Sequence, residues 1–232
     1  RLLRGRLGSF FARRLQAEVT TDRHTAAQSR ENAIRHYDLG NDLYRLFLDE
    51  GMNYSCAFFT APGMDLRTAQ LAKIHAVINR LDIRGGMRVL DIGCGWGEAA
   101  AIVARETGAS VTGITLAENQ FAIARNRAAI YRDSGALSYA LEDYREHAAT
   151  HKGVYDRIYS IGMFEHVGAD SYRSYFAAIR DQLAPGGRAL VHAIVNAGAM
   201  TAHGKLSSLW LERYIFPGGE ICNLQDMLDA AA

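Results

Sequence analysis

The stretch Val89-Leu90-Asp91-Ile92-Gly93-Cys94-Gly95-Trp96-Gly97 decides how this chain is read. A short apolar run carrying one acid crosses three alternate glycines and enters the helix-prone Glu98-Ala99-Ala100-Ala101-Ile102-Val103-Ala104-Arg105. That is a buried strand, a tight turn and a helix N-terminus, the place where α/β folds hold a cofactor. Glycine lacks a Cβ, so the backbone can reach positive φ and press against a ligand. The spacing is G-x-G-x-G, whereas dinucleotide-binding turns use G-x-G-x-x-G. An acid two residues before the first glycine suits a ligand with an ammonium group and no pyrophosphate, and S-adenosylmethionine meets that description. Alone, the turn also reads as an ordinary strand-to-helix connection.

Working outward, Asp65 is placed to cap a helix in which Leu71, Ile74, Val77, Ile78 and Leu81 recur at helical spacing. Gly85-Gly86 ends that element before a strand at 88–92. Strand and helix signals then alternate: strand 109–114, helix 117–132, strands 137–141 and 155–161, helix 170–183 and strand 188–195. Pro185-Gly186-Gly187 marks the turn into the last of these. Such alternation predicts a parallel sheet with right-handed crossovers. Residues 20–64 lack strand alternation and read as short helices and loops, and a helix is expected around Leu224–Leu228.

Further blocks accompany the glycine turn. Before it come His36-Tyr37-Asp38-Leu39-Gly40-Asn41-Asp42-Leu43-Tyr44 and Met52-Asn53-Tyr54-Ser55-Cys56-Ala57-Phe58-Phe59. After it come Gly113-Ile114-Thr115-Leu116-Ala117-Glu118-Asn119-Gln120, the run from Asp156 through Phe164-Glu165-His166-Val167-Gly168, and Tyr214-Ile215-Phe216-Pro217-Gly218-Gly219. In this order, from about His36 to Gly219, the blocks resemble the cyclopropane-fatty-acid synthase family, which includes the mycolic acid cyclopropane synthases. The resemblance implies a class I methyltransferase (Rossmann-like) α/β fold with sheet order 3-2-1-4-5 and an N-terminal helical extension. It divides the chain into residues 1–64, with a basic arm at 1–35 and a cofactor-closing segment at 36–59, and a cofactor-binding domain at 65–232. Folds of this type usually add a sixth and an antiparallel seventh strand. Neither is legible here, so a C-terminally incomplete domain is expected, and the missing initiator Met likewise suggests a chain that begins mid-protein.

The resemblance also implies roles. Gly93, Gly95 and Gly97 would face the methionyl end of S-adenosylmethionine, and Asp91 would hold its ammonium. No acid ends the second strand to bind the ribose, so Thr115, Leu116 and Gln120 are the expected replacements, with Gln120 in the ribose role. Asp143 and Tyr144 would meet the adenine, although Asp143 also reads as a helix cap and Leu116 as core. Tyr54 and Ser55 would close over the cofactor. The implied activity is methylene transfer to the double bond of an unsaturated acyl chain in a phospholipid or related lipid. It passes through a carbocation that a bound bicarbonate deprotonates. Its ligands carry over onto Cys56, Glu165 and His192; taken alone, Cys56 would read as a small buried hydrophobe. Tyr37, Tyr44, Tyr54, Phe58, Phe164 and Tyr214 are candidate aromatic faces for the cation, with core packing the alternative for each.

Departures bear on the product. The family's tyrosine ligand in a His-Tyr-x-x-Thr-Leu block has no counterpart here. Glu98 stands where glycine is usual, Ala193 follows His192 in place of threonine, and Glu220-Ile221-Cys222-Asn223 replaces Leu-Pro-Ser. A methyl-branched or methylene product and a non-catalytic cofactor-binding subunit are therefore the competing expectations.

Composition sets the outer bounds. A chain of 232 residues with 49% apolar and 22% charged content can bury a full core. No apolar run approaches the ~20 residues of a membrane span, and the first residues lack a signal-peptide core. Cys56, Cys94 and Cys222 form neither a metal pattern nor a disulfide framework, which suits a cytoplasmic protein. Residues 1–35 carry eight arginines against Glu18, Asp22 and Glu31, a local charge of +5 that leaves −4 for the rest. Leu2, Leu3, Leu7, Phe10, Phe11 and Leu15 share one broad helical face with Arg14 inside it, and Gly5 and Gly8 weaken the helix. The arm is expected either to meet an anionic membrane surface, here the inner membrane face, or to pack or stay solvated. Nucleic acid is not an expected partner.

Overall fold

The computed structural model describes residues 25–37, 40–130, 137–196, 198, 210 and 215–232. Two helices, α1 (Ala26–Tyr37) and α2 (Asn41–Arg45), precede the long α3 (Leu66–Leu81). The cap expected of Asp65 is present: its carboxylate accepts from Thr68 N at 2.7 Å. The chain then alternates as β1 (Arg88–Ile92), α4 (Glu98–Thr107), β2 (Ser110–Thr115), α5 (Glu118–Ile130), β3 (Leu137–Leu141) and α6 (Tyr144–Thr150). It continues with β4 (Tyr155–Ile161), two short 3-10 turns at Phe164–His166 and Ala169–Ser171, α7 (Tyr172–Gln182) and β5 (Leu183–His192). The five strands are all parallel, in the order β3-β2-β1-β4-β5. This is the class I methyltransferase sheet.

Successive residues of a strand point to opposite faces, and the sheet is buried on both. Val89 packs with Ile74, Val77, Leu81, Ile102 and Val103 on the α3–α4 side. Leu90 and Ile92 pack with Ile158, Phe164, Tyr175 and Ile179 on the other side. Order reverses at β1, whose neighbours are β2 and β4, so a crevice opens beyond the carboxyl ends of these strands.

β5 differs from the sequence expectation at both ends. β5 begins at Leu183, ahead of the expected 188, because the Pro185-Gly186-Gly187 turn is absorbed within it. Leu183 pairs with Tyr155 and Arg188 with Arg157, so residues 184–187 bulge opposite Asp156. β5 also stops at His192, short of the expected 195. There Glu165 Oε1 accepts from Ile194 N at 2.8 Å, and a side chain takes the backbone donor that a neighbouring strand would need. The chain then leaves the sheet. Two-residue strands β6 (Val195–Asn196) and β7 (Cys222–Asn223) pair with each other in a separate small sheet. Asn223 caps α8 (Leu224–Ala231), which packs on α7 through Met227 and Ala230. Among the described residues no helix is long and apolar enough to cross a membrane.

Candidate functional site

The crevice at the carboxyl edge is a cavity to which four strand ends contribute: Gly93 and Gly95 after β1, Thr115 and Leu116 at and after β2, Asp143 and Tyr144 after β3, and Gly162 and Met163 after β4. The three loop glycines have separate reasons to be glycine. Gly93 and Cys94 both donate their N–H to Ile114 O at 2.9 Å, folding the turn against β2. A Cβ on Gly93 would strike Met163, and one on Gly97 would strike Tyr139. Only at Gly95, with φ of +55°, would the added carbon meet nothing within 4 Å. Gly93 and Gly95 line the cavity. Gly97 does not: it begins α4 and packs on Tyr139, so its place in the loop is structural.

Asp91 lines the cavity with 2% of its surface exposed, and among the described residues its Oδ2 has no hydrogen-bond partner. Burial pushes the carboxyl up to about 7, although Tyr159 and the Lys73 ammonium pull the other way. Thr115 Oγ1 donates to Gln120 Oε1 at 3.1 Å, so the pair is fixed as a unit on the cavity wall. Asp143 lines the cavity and is also committed as the α6 cap. It accepts from Arg145 N at 2.9 Å and forms a two-oxygen ion pair with the Arg145 guanidinium. The adjacent Tyr144 is buried with its hydroxyl unpartnered.

The opposite wall is the segment carrying Tyr54 and Ser55, and α3 holds it by a ladder of side chains three residues apart. Arg67 pairs with Asp49 at 3.1 Å and with Glu98 at 2.6 Å. Gln70 Nε2 donates to Asn53 O and Ser55 O at 3.1 and 2.9 Å, and Lys73 donates to Ser55 Oγ. Glu98 also pairs with Arg127, which donates to Gly51 O at 3.1 Å. Glu98 thus ties the segment from Asp49 to Ser55 to α4 and α5. His36 stacks on Tyr54 at 5.7 Å and lies 4.8 Å from Phe216, while Tyr37 meets Tyr54 and Trp96 edge-on. Of the aromatic candidates, Tyr37 and Tyr54 line the cavity. Tyr44 and Phe164 are core residues, 2% and 0% exposed. Phe58 lies 5.9 Å from His192, and Tyr214 falls outside the described residues.

Glu165, His192 and Cys56 do not line this cavity. Glu165 follows β4, and its Oε2 is buried without a partner; burial raises its carboxyl above the usual range. His192 ends β5, paired with Ile161, and its Nδ1 is likewise buried without a partner. Burial and then the Lys73 charge lower its imidazole, favouring the neutral ring. Cys56 is exposed, contrary to the buried hydrophobe its residue type suggested. His166, beside Glu165, does line the cavity.

The family described as mycolic acid cyclopropane synthetase matches residues 24–232. The chain belongs to that family. The cyclopropane-fatty-acyl-phospholipid synthase of Escherichia coli K12 is 40% identical over 184 residues, covering 79% of this chain and 45% of the relative. Tuberculostearic acid methyltransferase UfaA1 of Mycobacterium tuberculosis H37Rv is 37% identical over 213 residues, covering 89% and 49%. The crystal structure of mycolic acid cyclopropane synthase CmaA1 complexed with SAH and CTAB aligns with a TM-score of 0.80 at 31% identity, covering 87% of this chain and 72% of that one. The chain spans about half the length of the two curated relatives.

In this member of the cyclopropane synthase family, sequence reasoning missed Lys73, Gln70, Arg67 and the His36–Phe216 ring contact. One signal was available. Gln70, Lys73, Val77 and Leu81 fall on one helical stripe, and two polar residues on an otherwise apolar stripe mark a buried polar contact.

Proposed function

We propose that this chain is the catalytic part of an S-adenosylmethionine-dependent enzyme that adds a methylene unit across the double bond of an unsaturated fatty acyl chain in a lipid, closing a cyclopropane. The observation that carries this reading is Asp91 Oδ2, a buried and unpartnered carboxylate oxygen beside a glycine turn open to the cavity. An ammonium is the partner it lacks.

Bound S-adenosylmethionine supplies a sulfonium methyl, an electrophile strong enough for an uncharged alkene. Asp91 accepts from the ammonium, the Gly93 and Gly95 backbone borders the methionyl end, and Gln120 (held by Thr115) serves the ribose. Leu116, Asp143 and Tyr144 border the adenine, with Asp143 shared between that role and its α6 cap. Tyr54 and Ser55 cover the group and exclude water. Positive charge developing on the acyl chain is stabilised by the ring faces of Tyr37 and Tyr54, the two candidates on the cavity wall. The added methyl must then lose a proton. Glu165 Oε2 and His192 Nδ1, both buried and unpartnered, fit a small polar guest, and with Cys56 they are the residues that would hold bicarbonate. Burial lowers the His192 imidazole and leaves a neutral hydrogen-bonding ring for the guest, and it raises the Glu165 carboxyl above the usual carboxylate range.

The name of UfaA1, a tuberculostearic acid methyltransferase, supports one alternative, methyl transfer to the acyl chain without ring closure. The substrate lies in a bilayer, and the basic arm of residues 1–35 is the segment proposed to bring the enzyme to anionic lipid. The test is incubation of the full-length protein with unsaturated phospholipid vesicles and S-adenosylmethionine, read by lipid mass spectrometry. A gain of one methylene mass with loss of the alkene signal is expected. No gain leaves a cofactor-binding subunit.

The Asp91 assignment predicts a pH dependence. Burial raises the carboxyl to about 7, and it must be ionised to take an ammonium. Affinity for S-adenosylhomocysteine should therefore rise with pH to about 7 and level off above it. Below 7 it should fall by up to roughly tenfold per unit, as binding displaces a proton. Calorimetry across this range should show the slope in the native protein and a flat profile in Asp91→Asn. The same slope in the variant would assign the proton to another group.

A further inference from the structure

Lys73 sits mid-way along α3 with 1% of its surface exposed. Its ammonium donates to two neutral oxygens, Ser55 Oγ and Gln70 Oε1, and among the described residues it forms no ion pair. Burying an ammonium without a counter-charge is strongly unfavourable. Its electrostatic neighbours are Asp49, Cys56 and Asp91, and burial lowers it to about 8, so the charge is retained at neutral pH. Asp49 is already occupied. Its oxygens accept from Gly51 N, Asn53 N, the Asn53 amide and Arg67. Cys56 is exposed, and Asp91 is assigned above to a ligand's ammonium. The charge that Lys73 lacks must come from outside the chain, and Lys73 lines the cavity through which it would come.

We propose that Lys73 is the binding site for a trigonal oxyanion, a carboxylate or bicarbonate group, brought into the cavity by a ligand. The proposal rests on the cofactor reading above, which offers two such groups. One is the carboxylate of the methionyl end, whose ammonium goes to Asp91, an electrostatic neighbour of Lys73. The other is the bicarbonate held by Glu165, His192 and Cys56. His192 and Cys56 both feel the Lys73 charge, and none of the three side chains is a cation at neutral pH. An anion placed beside a glutamate needs a positive neighbour. Lys73 is then a positioning residue, and its bonds to Ser55 and Gln70 make the covering segment respond to the anion's arrival.

The experiment compares native protein with Lys73→Met and Lys73→Gln; the glutamine keeps donors for Ser55 and Gln70 and removes only the charge. Calorimetry measures S-adenosylhomocysteine and its decarboxylated analogue, which keeps the nucleoside and the ammonium. Thermal denaturation with and without bicarbonate, in the presence of S-adenosylhomocysteine, measures the second anion. If the methionyl carboxylate is the anion, both variants lose S-adenosylhomocysteine affinity by roughly 10–100-fold and bind the decarboxylated analogue as before. If bicarbonate is the anion, nucleoside affinities hold and the thermal shift caused by bicarbonate disappears in both variants. Either result supports the proposal. It is overturned if the variants match the native protein in all three measurements. Equal loss of both nucleosides, or full rescue by glutamine, also overturns it, because either would show a purely structural lysine. Native protein that binds neither nucleoside would sink the cofactor reading itself, a failure distinct from these.

Discussion

Replacing Glu165 with Gln or His192 with Ala should lower product formation by roughly two to four orders of magnitude and leave S-adenosylhomocysteine affinity within a factor of a few. The glutamine keeps an oxygen for Ile194 N, so the exit of the chain from β5 is preserved. It exchanges the buried, unpartnered Oε2 for an amide that cannot pass between protonation states. The alanine removes the unpartnered Nδ1 and leaves His192's backbone role intact, since its carbonyl accepts from Gly162 N at 2.9 Å whatever the side chain. Neither residue lines the nucleoside cavity, which is why binding and turnover should separate. Turnover at native rates in both variants, or a rate indifferent to bicarbonate depletion, would remove these residues from the proton-transfer step. Loss of nucleoside binding in either would instead join their site to the cofactor's.

Gly95→Val should abolish measurable S-adenosylhomocysteine binding while the protein still folds. The position opens into the cavity with nothing within 4 Å of an added Cβ, so the isopropyl group occupies ligand space and displaces no packed neighbour. Its φ of +55° adds a cost of about 1–2 kcal/mol to the fold for any residue with a Cβ, which a domain of this size can absorb. Gly97→Val is the contrasting control. Its side chain would collide with Tyr139 and Ala124, so its effect should appear as lost stability before lost affinity. Calorimetry with denaturation curves on both variants separates the two. Unimpaired binding in Gly95→Val would place the ligand elsewhere.

The sheet was legible because its determinants are local. Val89 through Ile92 is a short apolar run buried on both faces, and the glycine turn can only follow such a strand. Boundaries failed where a distant group intervened. Nothing near His192 in sequence announces that Glu165, 29 positions before Ile194, takes the backbone donor of Ile194 and ends β5. Pro185-Gly186-Gly187 has turn chemistry, and the bulge opposite Asp156 satisfies it without leaving the strand. In the site, residues tied to backbone geometry were readable, such as Gly93, Gly95 and Asp91. Residues whose position depends on pairing across the fold were not. Glu98 looked like a departure from pattern, and its meaning came only from Arg67, 31 positions earlier, and Arg127 on α5. Lys73 went unread in the sequence because its burial depends on the distant residues packed around it, Ser55 among them. Asp143 carried two readings, cap and ligand contact, and the structure makes it a cap while keeping it on the cavity wall.

The central claim is that a methyl carbon from S-adenosylmethionine becomes part of a ring on an acyl chain. The most direct measurement uses a cofactor with a fully deuterated methyl group, full-length protein and vesicles of an unsaturated phospholipid, followed by mass and magnetic-resonance analysis of the recovered lipid. The account predicts acyl chains that have gained the donor carbon with two of its three deuterium atoms, have lost the alkene signal and show ring resonances. Chains that keep all three deuterium atoms would contradict ring closure, and lipid carrying no deuterium would contradict the enzyme.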